Sequence, residues 1–306
     1  MKTFWKRLGI TAGIAVVAVL IWGFIEPYII DVEREEAEIP NLPQAWEGKE
    51  VAVIGDFQVG MWMDNDSVIP RIVDKIIEED PEAVLLLGDY VYHPTDDRTL
   101  QMGKVADALG DLQDANIPVF AILGNHDYAM AKKDDKINKE EANRVEGVLS
   151  SEGFTVLRNE SVPLTLEEDG VTLSRENENT LYLGALGATW PENVDVSKAL
   201  QDIPDEAPRM FMMHNPEAFS KLPANTAPVA IAGHTHGGQY RIPFTPDWSY
   251  KELFTDKEAH VDGWITDSYG SEGNSLYVNR GIGFSLFPMR VNCPPEITIL
   301  EFTSQS

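Results

Sequence analysis

Five short motifs of acidic, amide and imidazole side chains are spaced along the chain, and each directly follows an apolar run. In order, they contain Asp56, Asp89, Asn125-His126-Asp127, His214 and His234-Thr235-His236. Carboxylate and amide oxygens and imidazole nitrogens are the ligands that first-row divalent metals bind in proteins. Because the carboxyl ends of strands in an open α/β sheet converge on one crevice, we expect these residues to meet. The pattern predicts a metal centre.

Such a centre suits the hydrolysis of a phosphate ester. That reaction is slow because water, a weak nucleophile, must attack an anion. Two metal ions roughly 3.5–4 Å apart neutralise the phosphoryl oxygens and lower the pKa of a water molecule between them.

The motifs resemble those of the calcineurin-like metallophosphoesterases, whose pattern is D-x-H, G-D, G-N-H-D/E, H and G-H-x-H. The run at 233–239, G-H-T-H-G-G-Q, and the tail from Asn279 to Glu296 are similar to a membrane-anchored bacterial subgroup of that family. The resemblance covers residue 50 to the end of the sequence. It implies an α/β fold in which two sheets pack face to face with helices outside, an αββα sandwich.

The resemblance also implies a ligand set for two transition-metal ions, either manganese, iron or zinc. Asp89 would bridge the two ions. The remaining ligands divide into one set of Asp56 and His236 and another of Asn125, His214 and His234. Because residues two apart on an extended segment point the same way, we expect both imidazoles of the last motif to face the metals.

The chain departs from the family pattern at Gln58, which stands where a metal-binding histidine is usual. A glutamine oxygen is a poorer ligand than imidazole for a transition metal. Tyr92 is a candidate to compensate, since its spacing after Asp89 resembles the G-D-x-x-Y of purple acid phosphatases. Otherwise Gln58 itself or a water molecule completes the shell.

Three further residues are candidates for catalysis or substrate binding, and the role of the first comes from the resemblance. His126 matches a histidine that contacts the scissile phosphate and protonates the leaving oxygen. Asp127 is expected to orient that imidazole by accepting a hydrogen bond. Arg280 is a candidate to offer its guanidinium to the phosphate, and the alternative is a structural salt bridge.

Alternating apolar runs predict the elements that position these residues. Strands at 51–54, 83–87 and 119–123, with amphipathic helices at 68–79 and 100–112 between them, indicate a parallel sheet. Runs at 154–157, 162–166 and 181–186 are expected in a second sheet, and further strands are predicted at 210–213, 229–232, 275–278 and 297–302. Five aromatic residues are interpreted as core or interface residues, with the floor of an apolar pocket as the alternative: Trp190, Trp248, Trp264, Phe284 and Phe287.

The N-terminal segment has the composition of a membrane anchor. Lys2, Lys6 and Arg7 precede the charge-free residues 8–25, which as a helix span roughly 27 Å, close to the bilayer core. No small-x-small cleavage site follows, which disfavours a signal peptide. We therefore predict an anchor at 1–30, an acidic tether at 31–49 that can add an edge strand, and a catalytic domain at 50–306. The basic flank places the N-terminus in the cytoplasm and the catalytic domain outside the cell membrane.

The formal charge of −26 disfavours nucleic acid as a partner, because the sequence has no basic stripe to counter it. The anchor instead predicts a membrane-borne phosphoester, such as a lipid-linked one, as the substrate. Two alternatives stay open: a catalytically weak, metal-dependent binding or scaffold protein of the same fold, which Gln58 favours, and a nuclease. Cys293 is the single cysteine, so no intramolecular disulfide forms.

Overall fold

Two β-sheets form the centre of the fold, with helices packed outside. The structure, a computed structural model, describes residues 1–92, 98–168, 170–174, 178–242, 249, 260–265 and 269–305. The helices are α1 (Lys2–Ile25), α2 (Ile69–Glu79), α3 (Arg98–Asp114), α4 (Lys139–Ser151) and α5 (Val196–Leu200). The strands are β1 (Asp31–Ile39), β2 (Glu50–Ile54), β3 (Ala83–Leu86), β4 (Val119–Ala121), β5 (Thr155–Val156), β6 (Glu160–Glu167), β7 (Gly170–Thr172), β8 (Thr180–Ala185), β9 (Arg209–Met213), β10 (Ala230–Ala232), β11 (Gly263–Trp264), β12 (Leu276–Val278) and β13 (Glu296–Ser304).

The first sheet has the order β1-β13-β2-β3-β4-β5, and the second has the order β11-β12-β10-β9-β8-β6-β7. Strands β2 to β5 run parallel, as do β8, β9, β10 and β12. The carboxyl ends of both parallel sets are where the five motifs begin. The αββα sandwich expected from the sequence is confirmed.

The strands of the first sheet are apolar on both faces, because each face is covered. Val53 and Leu85 belong to the core shared with the second sheet, where Leu183 and Met212 lie. Their neighbours along the strands, such as Ile54, pack instead with the helices. On the helix side, α2 buries Ile69, Ile72, Val73 and Ile76, the spacing of one helical face.

One predicted strand lies in the other sheet. The run at 154–157 was expected in the second sheet, but Thr155 and Val156 pair in parallel with Phe120 and Ala121 of β4. The prediction was wrong because α4, which precedes the run, returns the chain to the edge of the first sheet as a β-α-β crossover. The runs at 162–166 and 181–186 do lie in the second sheet, as β6 and β8.

The acidic segment 31–49 supplies the edge strand that the sequence allowed, so its residues 31–39 are part of the first sheet and not a free tether. Its strand β1 pairs in parallel with β13 along nine residues, from Asp31 opposite Glu296 to Ile39 opposite Ser304. Ala37 and Ile39 are buried, whereas Glu36 and Glu38 between them are exposed. This two-residue alternation is the pattern of an edge strand, and the abundance of acids in the segment hides it.

Helix α1 is long and apolar enough to cross a bilayer, with a mean hydropathy of 2.4 over its most apolar window. Gly23 is its single buried residue. A 3₁₀ turn, Glu26–Tyr28, follows the helix and leads directly into β1. The end of α1 therefore lies against the folded domain, and the rest of its surface is left exposed.

Candidate metal centre

The residues of all five motifs meet where the strands end. Asp56 follows β2, Asp89 follows β3, Asn125 follows β4, His214 follows β9 and His234 follows β10. The first four side chains are buried, and His234 is half-buried. The sequence separations among them are large, so the convergence comes from the parallel sheets and not from local structure.

Four of these side chains form a tight group, here called the compact cluster: Asp89, Asn125, His214 and His234. The His214 Nε2 atom lies 3.1 Å from Asn125 Oδ1, 3.2 Å from His234 Nδ1 and 3.3 Å from Asp89 Oδ2. Ligand atoms that share an ion at about 2.0–2.2 Å lie roughly 3–3.5 Å from one another. The spacing in the compact cluster fits a divalent metal.

Backbone carbonyl groups orient two side chains of the compact cluster. His214 Nδ1 lies 2.8 Å from the Leu87 carbonyl oxygen, which can only accept, so Nδ1 carries the hydrogen and Nε2 is left for the cluster. Asn125 Nδ2 donates to the Met130 carbonyl at 2.7 Å, so its oxygen faces the cluster. Such supporting hydrogen bonds fix the tautomer and direction of metal ligands.

A second group, here called the open cluster, consists of Asp56, Gln58 and His236. In this group His236 Nε2 and Asp56 Oδ1 lie 3.9 Å apart, which is farther than the contacts within the compact cluster. Asp56 Oδ1 and Gln58 Oε1 are buried without a hydrogen-bond partner, which is costly for polar atoms. A cation would satisfy both oxygens, so the open cluster also fits a metal.

Gln58 connects the two clusters. Its Nε2 donates to Asp89 Oδ2 at 2.9 Å, and this oxygen also faces His214. Asp56 Oδ2 accepts from the backbone N–H of His234 at 2.8 Å. Asp89 therefore lies between the clusters, in the place expected for the bridging carboxylate.

Several side chains of both clusters stand on strained backbone. The φ angles of Asp56, Gln58, Asp89, His234 and His236 are 53°, 54°, 56°, 72° and 52°, in the left-handed region. The segment 234–236 is thus not extended, and the reason given from the sequence for its two imidazoles facing the site was wrong. Tight left-handed turns aim these side chains, and such strain concentrates at functional sites.

The tail motif supports the turn that carries Asp56. The backbone N–H of Ile282 donates to the Gly55 carbonyl at 3.0 Å, and that of Gly283 donates to the Asp56 carbonyl at 2.8 Å. Gly281 has a φ of 66°, and a Cβ there would lie 2.5 Å from the Cβ of Asp56. The close approach requires glycine, which explains the N-R-G-I-G sequence of the motif.

His126 lies beside the compact cluster. Its backbone N–H donates to Asp89 Oδ1 at 2.8 Å. Its Nδ1 contacts the carbonyl oxygen of Tyr92, and the two rings stack with centroids 5.2 Å apart. The proposed role of Tyr92 as a metal ligand stays a prediction, whereas its contact with the imidazole is a finding.

The predicted role of Asp127 was wrong. Its carboxylate accepts backbone N–H groups from Asp89, Gly124 and Tyr90 at 2.8–3.0 Å. The Asp127 carboxylate therefore joins the turns after β3 and β4. The hydrogen-bond acceptor beside the His126 ring, the role predicted for Asp127, is instead the Tyr92 carbonyl. Burial, together with the charge of Asp89, raises the pKa of Asp127 to about 7.

Arg280 forms the structural salt bridge that was the alternative to phosphate binding. Its guanidinium lies 2.8 Å from Asp31, and 3.0 Å from both Glu33 and Glu296. Burial lowers the pKa of Arg280, but the negative charges of Glu296 and Asp262 raise it by a larger amount, so the net shift is upward. These carboxylates compete with a phosphate for the guanidinium, and they join β1 to β13.

The pKa values of the two buried aspartates, Asp56 and Asp89, shift in opposite directions. The pKa of Asp56 is raised to about 6, because burial and the charge of Asp89 outweigh the positive charge of His214. Burial also opposes ionisation of Asp89, yet the positive charge of His214 and His126 lowers its pKa on balance. For His214, burial favours the neutral ring, but Asp89 raises its pKa to about 9. A bound ion would replace the proton on His214, since metal ligands must be deprotonated.

A cavity of about 260 Å³ opens onto the compact cluster. Trp190 forms part of its wall, with its ring edge-on to His234 at 4.9 Å. Gln239 and Ser285 also reach the cavity and were not predicted from the sequence. The lining comprises Asp89, Asn125, His126, Ala131, Trp190, His234, Thr235, His236, Gln239 and Ser285.

The other aromatic residues singled out from the sequence lie elsewhere. Phe284 is buried, Trp264 packs edge-on to Tyr277, and Phe287 is exposed. Trp248 lies outside the described residues. A larger groove of about 810 Å³ is lined by residues such as Glu36, Asp205 and Arg209, and none of its lining residues belongs to either cluster.

Comparison with known proteins agrees with the geometry. Residues 49–238 match the family model described as calcineurin-like phosphoesterase. The chain is 30% identical over 237 residues to the phosphodiesterase YaeI of Escherichia coli strain K12, covering 77% of this chain and 75% of that protein. It is 25% identical to the uncharacterized metallophosphoesterase YkuE of Bacillus subtilis strain 168, covering 92% and 88%. It is also 25% identical to the UDP-2,3-diacylglucosamine pyrophosphatase LpxG of Chlamydia trachomatis serovar D, covering 96% and 97%. The chain belongs to the calcineurin-like phosphoesterase family, and it is a phosphoester hydrolase.

Proposed function

We propose that this protein is a membrane-anchored, two-metal phosphodiesterase that acts on a lipid-linked phosphoester. The observation that carries the proposal is the compact cluster, in which His214 Nε2 lies 3.1–3.3 Å from ligand atoms of Asp89, Asn125 and His234. His126 lies beside this cluster. A metal group next to a histidine that is held by its backbone is the arrangement needed for charge neutralisation together with proton transfer.

The two clusters would hold one ion each. The compact cluster supplies Asn125, His214 and His234 to one ion, the open cluster supplies Asp56 and His236 to the other, and Asp89 is shared. The unpartnered Oε1 of Gln58 supports Gln58 as a ligand in the open cluster. Bound divalent ions such as manganese, iron or zinc supply Lewis acidity for the phosphoryl oxygens and lower the pKa of water.

His126 holds the proton for the leaving group. Because its Nδ1–H is directed at the Tyr92 carbonyl, its Nε2 is the nitrogen left for substrate, and in the charged ring Nε2 carries a transferable proton. The flat stack of Tyr92 on the imidazole fixes the plane of the ring. His126 is therefore placed to protonate the leaving oxygen as the phosphate ester breaks.

The N-terminal helix supports a membrane location. Basic residues precede α1 and acidic residues follow it, which favours a cytoplasmic N-terminus and an extracytoplasmic catalytic domain. The charge of −26 supports a substrate other than nucleic acid. The relative LpxG is named for a substrate with acyl chains and a pyrophosphate, which supports a lipid-linked phosphoester here as well.

The test uses the full chain reconstituted in phosphatidylcholine vesicles and loaded with manganese. We expect hydrolysis of bis-nitrophenyl phosphate, and faster hydrolysis of a vesicle-embedded diacyl sugar linked through a pyrophosphate. The matched control is His126→Ala, which keeps all the proposed ligands. A wild-type protein that holds two ions per chain and hydrolyses neither compound would instead be a metal-dependent binding protein. Equal rates on embedded and soluble diesters would contradict the lipid-linked part of the proposal.

A further inference from the structure

The end of the anchor helix is fastened to the catalytic domain by buried contacts. The Arg290 backbone N–H donates to the Gly23 carbonyl at 2.9 Å, and a Cβ on Gly23 would lie 2.6 Å from the methyl carbon of Met289. The carboxylate of Glu26, itself buried, accepts the backbone N–H groups of Asn292, at 2.9 Å, and of Cys293. These contacts hold the domain in a fixed position relative to the end of α1.

Next to this junction lies an exposed apolar surface, here called the apolar rim: Trp62, Met63, Leu286 and Phe287. These side chains are 55–63% exposed. The two halves of the rim are in contact, because Trp62 Nε1 donates to the Leu286 carbonyl at 3.3 Å. Phe287 is linked to the junction through its carbonyl, which accepts the N–H of Met289 at 2.8 Å. The rim thus continues the apolar surface of α1 onto the catalytic domain.

The same loop borders the metal site. Gln239, which lines the cavity, donates from Nε2 to the carbonyls of Phe287 and Met289, both at 2.9 Å. Its Oε1 accepts the backbone N–H of Ser285, another cavity residue, at 2.8 Å. The Gln239 side chain thereby joins the cavity wall to the rim. Ser285, which lines the cavity, directly precedes Leu286 and Phe287 of the rim in the sequence.

We propose that the apolar rim inserts into the lipid bilayer beside the end of α1, so that the metal cavity opens at the membrane surface. Tryptophan and phenylalanine are suited to the interface between headgroups and acyl chains. Contiguous exposed apolar side chains mark an interaction surface, and the adjoining membrane-length helix identifies the bilayer as the partner. Since the protein carries a charge of −26, the contact with lipid must be apolar and not electrostatic. This inference rests on the proposed membrane anchoring, and it deepens the proposed function by giving a lipid-linked substrate a direct path from the bilayer to the cavity.

The depth of the rim can be measured on the full chain in phosphatidylcholine vesicles. A Leu286→Cys variant carries an environment-sensitive fluorophore, and the vesicles contain phosphatidylcholine brominated along its acyl chains as the quencher. The matched control is Leu173→Cys, since Leu173 is 53% exposed and lies just beyond β7, at the opposite edge of the second sheet from β11. The native Cys293 is buried, so the unsubstituted protein serves as the blank.

We expect strong quenching of the label at position 286 and none at 173, with little change when salt is raised or phosphatidylglycerol is added. Equal quenching at the two positions would overturn the proposal. The measurement needs no turnover, so it is independent of the proposed activity. Quenching at 286 in a protein without hydrolase activity would support insertion of the rim and contradict the proposed function. Hydrolase activity without quenching at 286 would support the function and contradict insertion of the rim.

A kinetic comparison completes the test. Phe287→Asp places a charge in the rim, and Leu173→Asp places the same charge on the remote surface. We expect Phe287→Asp to lower the ratio of rates on vesicle-embedded and soluble phosphodiesters by roughly tenfold, because the loss of contact removes part of the effective concentration at the membrane. An unchanged ratio in Phe287→Asp, with quenching absent at 286, would show that α1 alone holds the protein at the bilayer.

Discussion

The compact and open clusters are two halves of one site, yet the protein prepares them differently. In the compact cluster, His214 Nε2 lies 3.1–3.3 Å from three other atoms that can bind a metal. The Leu87 and Met130 carbonyls fix the orientations of His214 and Asn125. In the open cluster, the corresponding separation is 3.9 Å, and two buried oxygens have no hydrogen-bond partner. The fold thus builds the first half with its own hydrogen bonds, and leaves the second half to be completed by the ion.

Two ions in one site therefore need not bind with equal affinity. A pre-oriented ligand set loses less conformational freedom when it binds, so the compact cluster is expected to hold its ion more tightly. The substitution at Gln58, which replaces an imidazole with a weaker oxygen ligand, acts in the same direction. Substitutions in and beside the two clusters test this difference in metal affinity.

Asp89→Asn removes the carboxylate charge that the compact and open clusters share, so neither cluster should keep its ion. We expect loss of both ions and a fall in turnover greater than roughly 10³-fold, because the stabilising charge at the phosphate is lost. Elemental analysis of the purified protein measures the metal content. Asp205→Asn, a neutralised carboxylate in the remote groove, is the control. Two ions per chain in the Asp89 variant would refute the shared ligand.

His126→Ala tests a residue that belongs to neither cluster. We expect both ions to be retained and kcat to fall by roughly 10²–10⁴-fold on substrates with poor leaving groups, the usual contribution of a general acid. The loss should be much smaller for a nitrophenyl ester, whose leaving group needs little protonation. If the two kinds of substrate lose equally, His126 positions the phosphate and does not donate a proton.

His236→Ala and His234→Ala form a matched pair, one imidazole from each cluster. We expect His236→Ala to weaken the ion in the open cluster and His234→Ala to weaken the ion in the compact cluster, each by roughly 10–100-fold or more in affinity. Stepwise removal of metal with increasing chelator separates the two sites. In the wild-type protein, one ion should leave before the other. Simultaneous loss of both ions in every variant would contradict the contrast between the clusters.

Gln58→His should have the smallest effect, and in the opposite direction. Histidine tolerates the left-handed backbone at this position better than most residues, and its imidazole is the stronger ligand. We expect affinity for the more weakly held ion to rise by roughly tenfold, with the tighter site unchanged. Gln44→His, which adds the same side chain to an exposed turn, controls for adventitious binding. Unchanged chelator titration in Gln58→His would remove Gln58 from the ligand set.

Much of this site was predictable, because strand ends are visible in a sequence. Apolar runs before Asp56, Asp89 and His214 place each of them at the carboxyl end of a strand, and the packing of the two sheets, which the resemblance implied, brings those ends together. The wrong assignment of the run at 154–157 shows the limit of such patterns. Periodicity identifies a strand, but the crossover that precedes the strand decides which sheet it joins.

The supporting contacts were not predictable, since they depend on backbone atoms and turn conformations. Asp127 binds three backbone N–H groups, and the Tyr92 carbonyl takes the contact with His126 that side-chain chemistry had assigned to Asp127. A carbonyl group is present at every residue and gives no signal in a sequence. The left-handed turns at His234 and His236 could not be predicted either, because a histidine in a sequence does not indicate a positive φ as a glycine does.

The pairing of β1 with β13 has a consequence for how the protein is made. Because β13 lies between β1 and β2, the strand β1 has no sheet to join until Glu296 and the residues after it have left the ribosome. During synthesis, an anchored chain would hold β1 at the membrane surface, unpaired, while the rest of the domain folds. Closing a sheet with contacts so distant in sequence is a slow step. Translation that stops before Glu296 would leave the edge of β2 bare, and such edges invite aggregation.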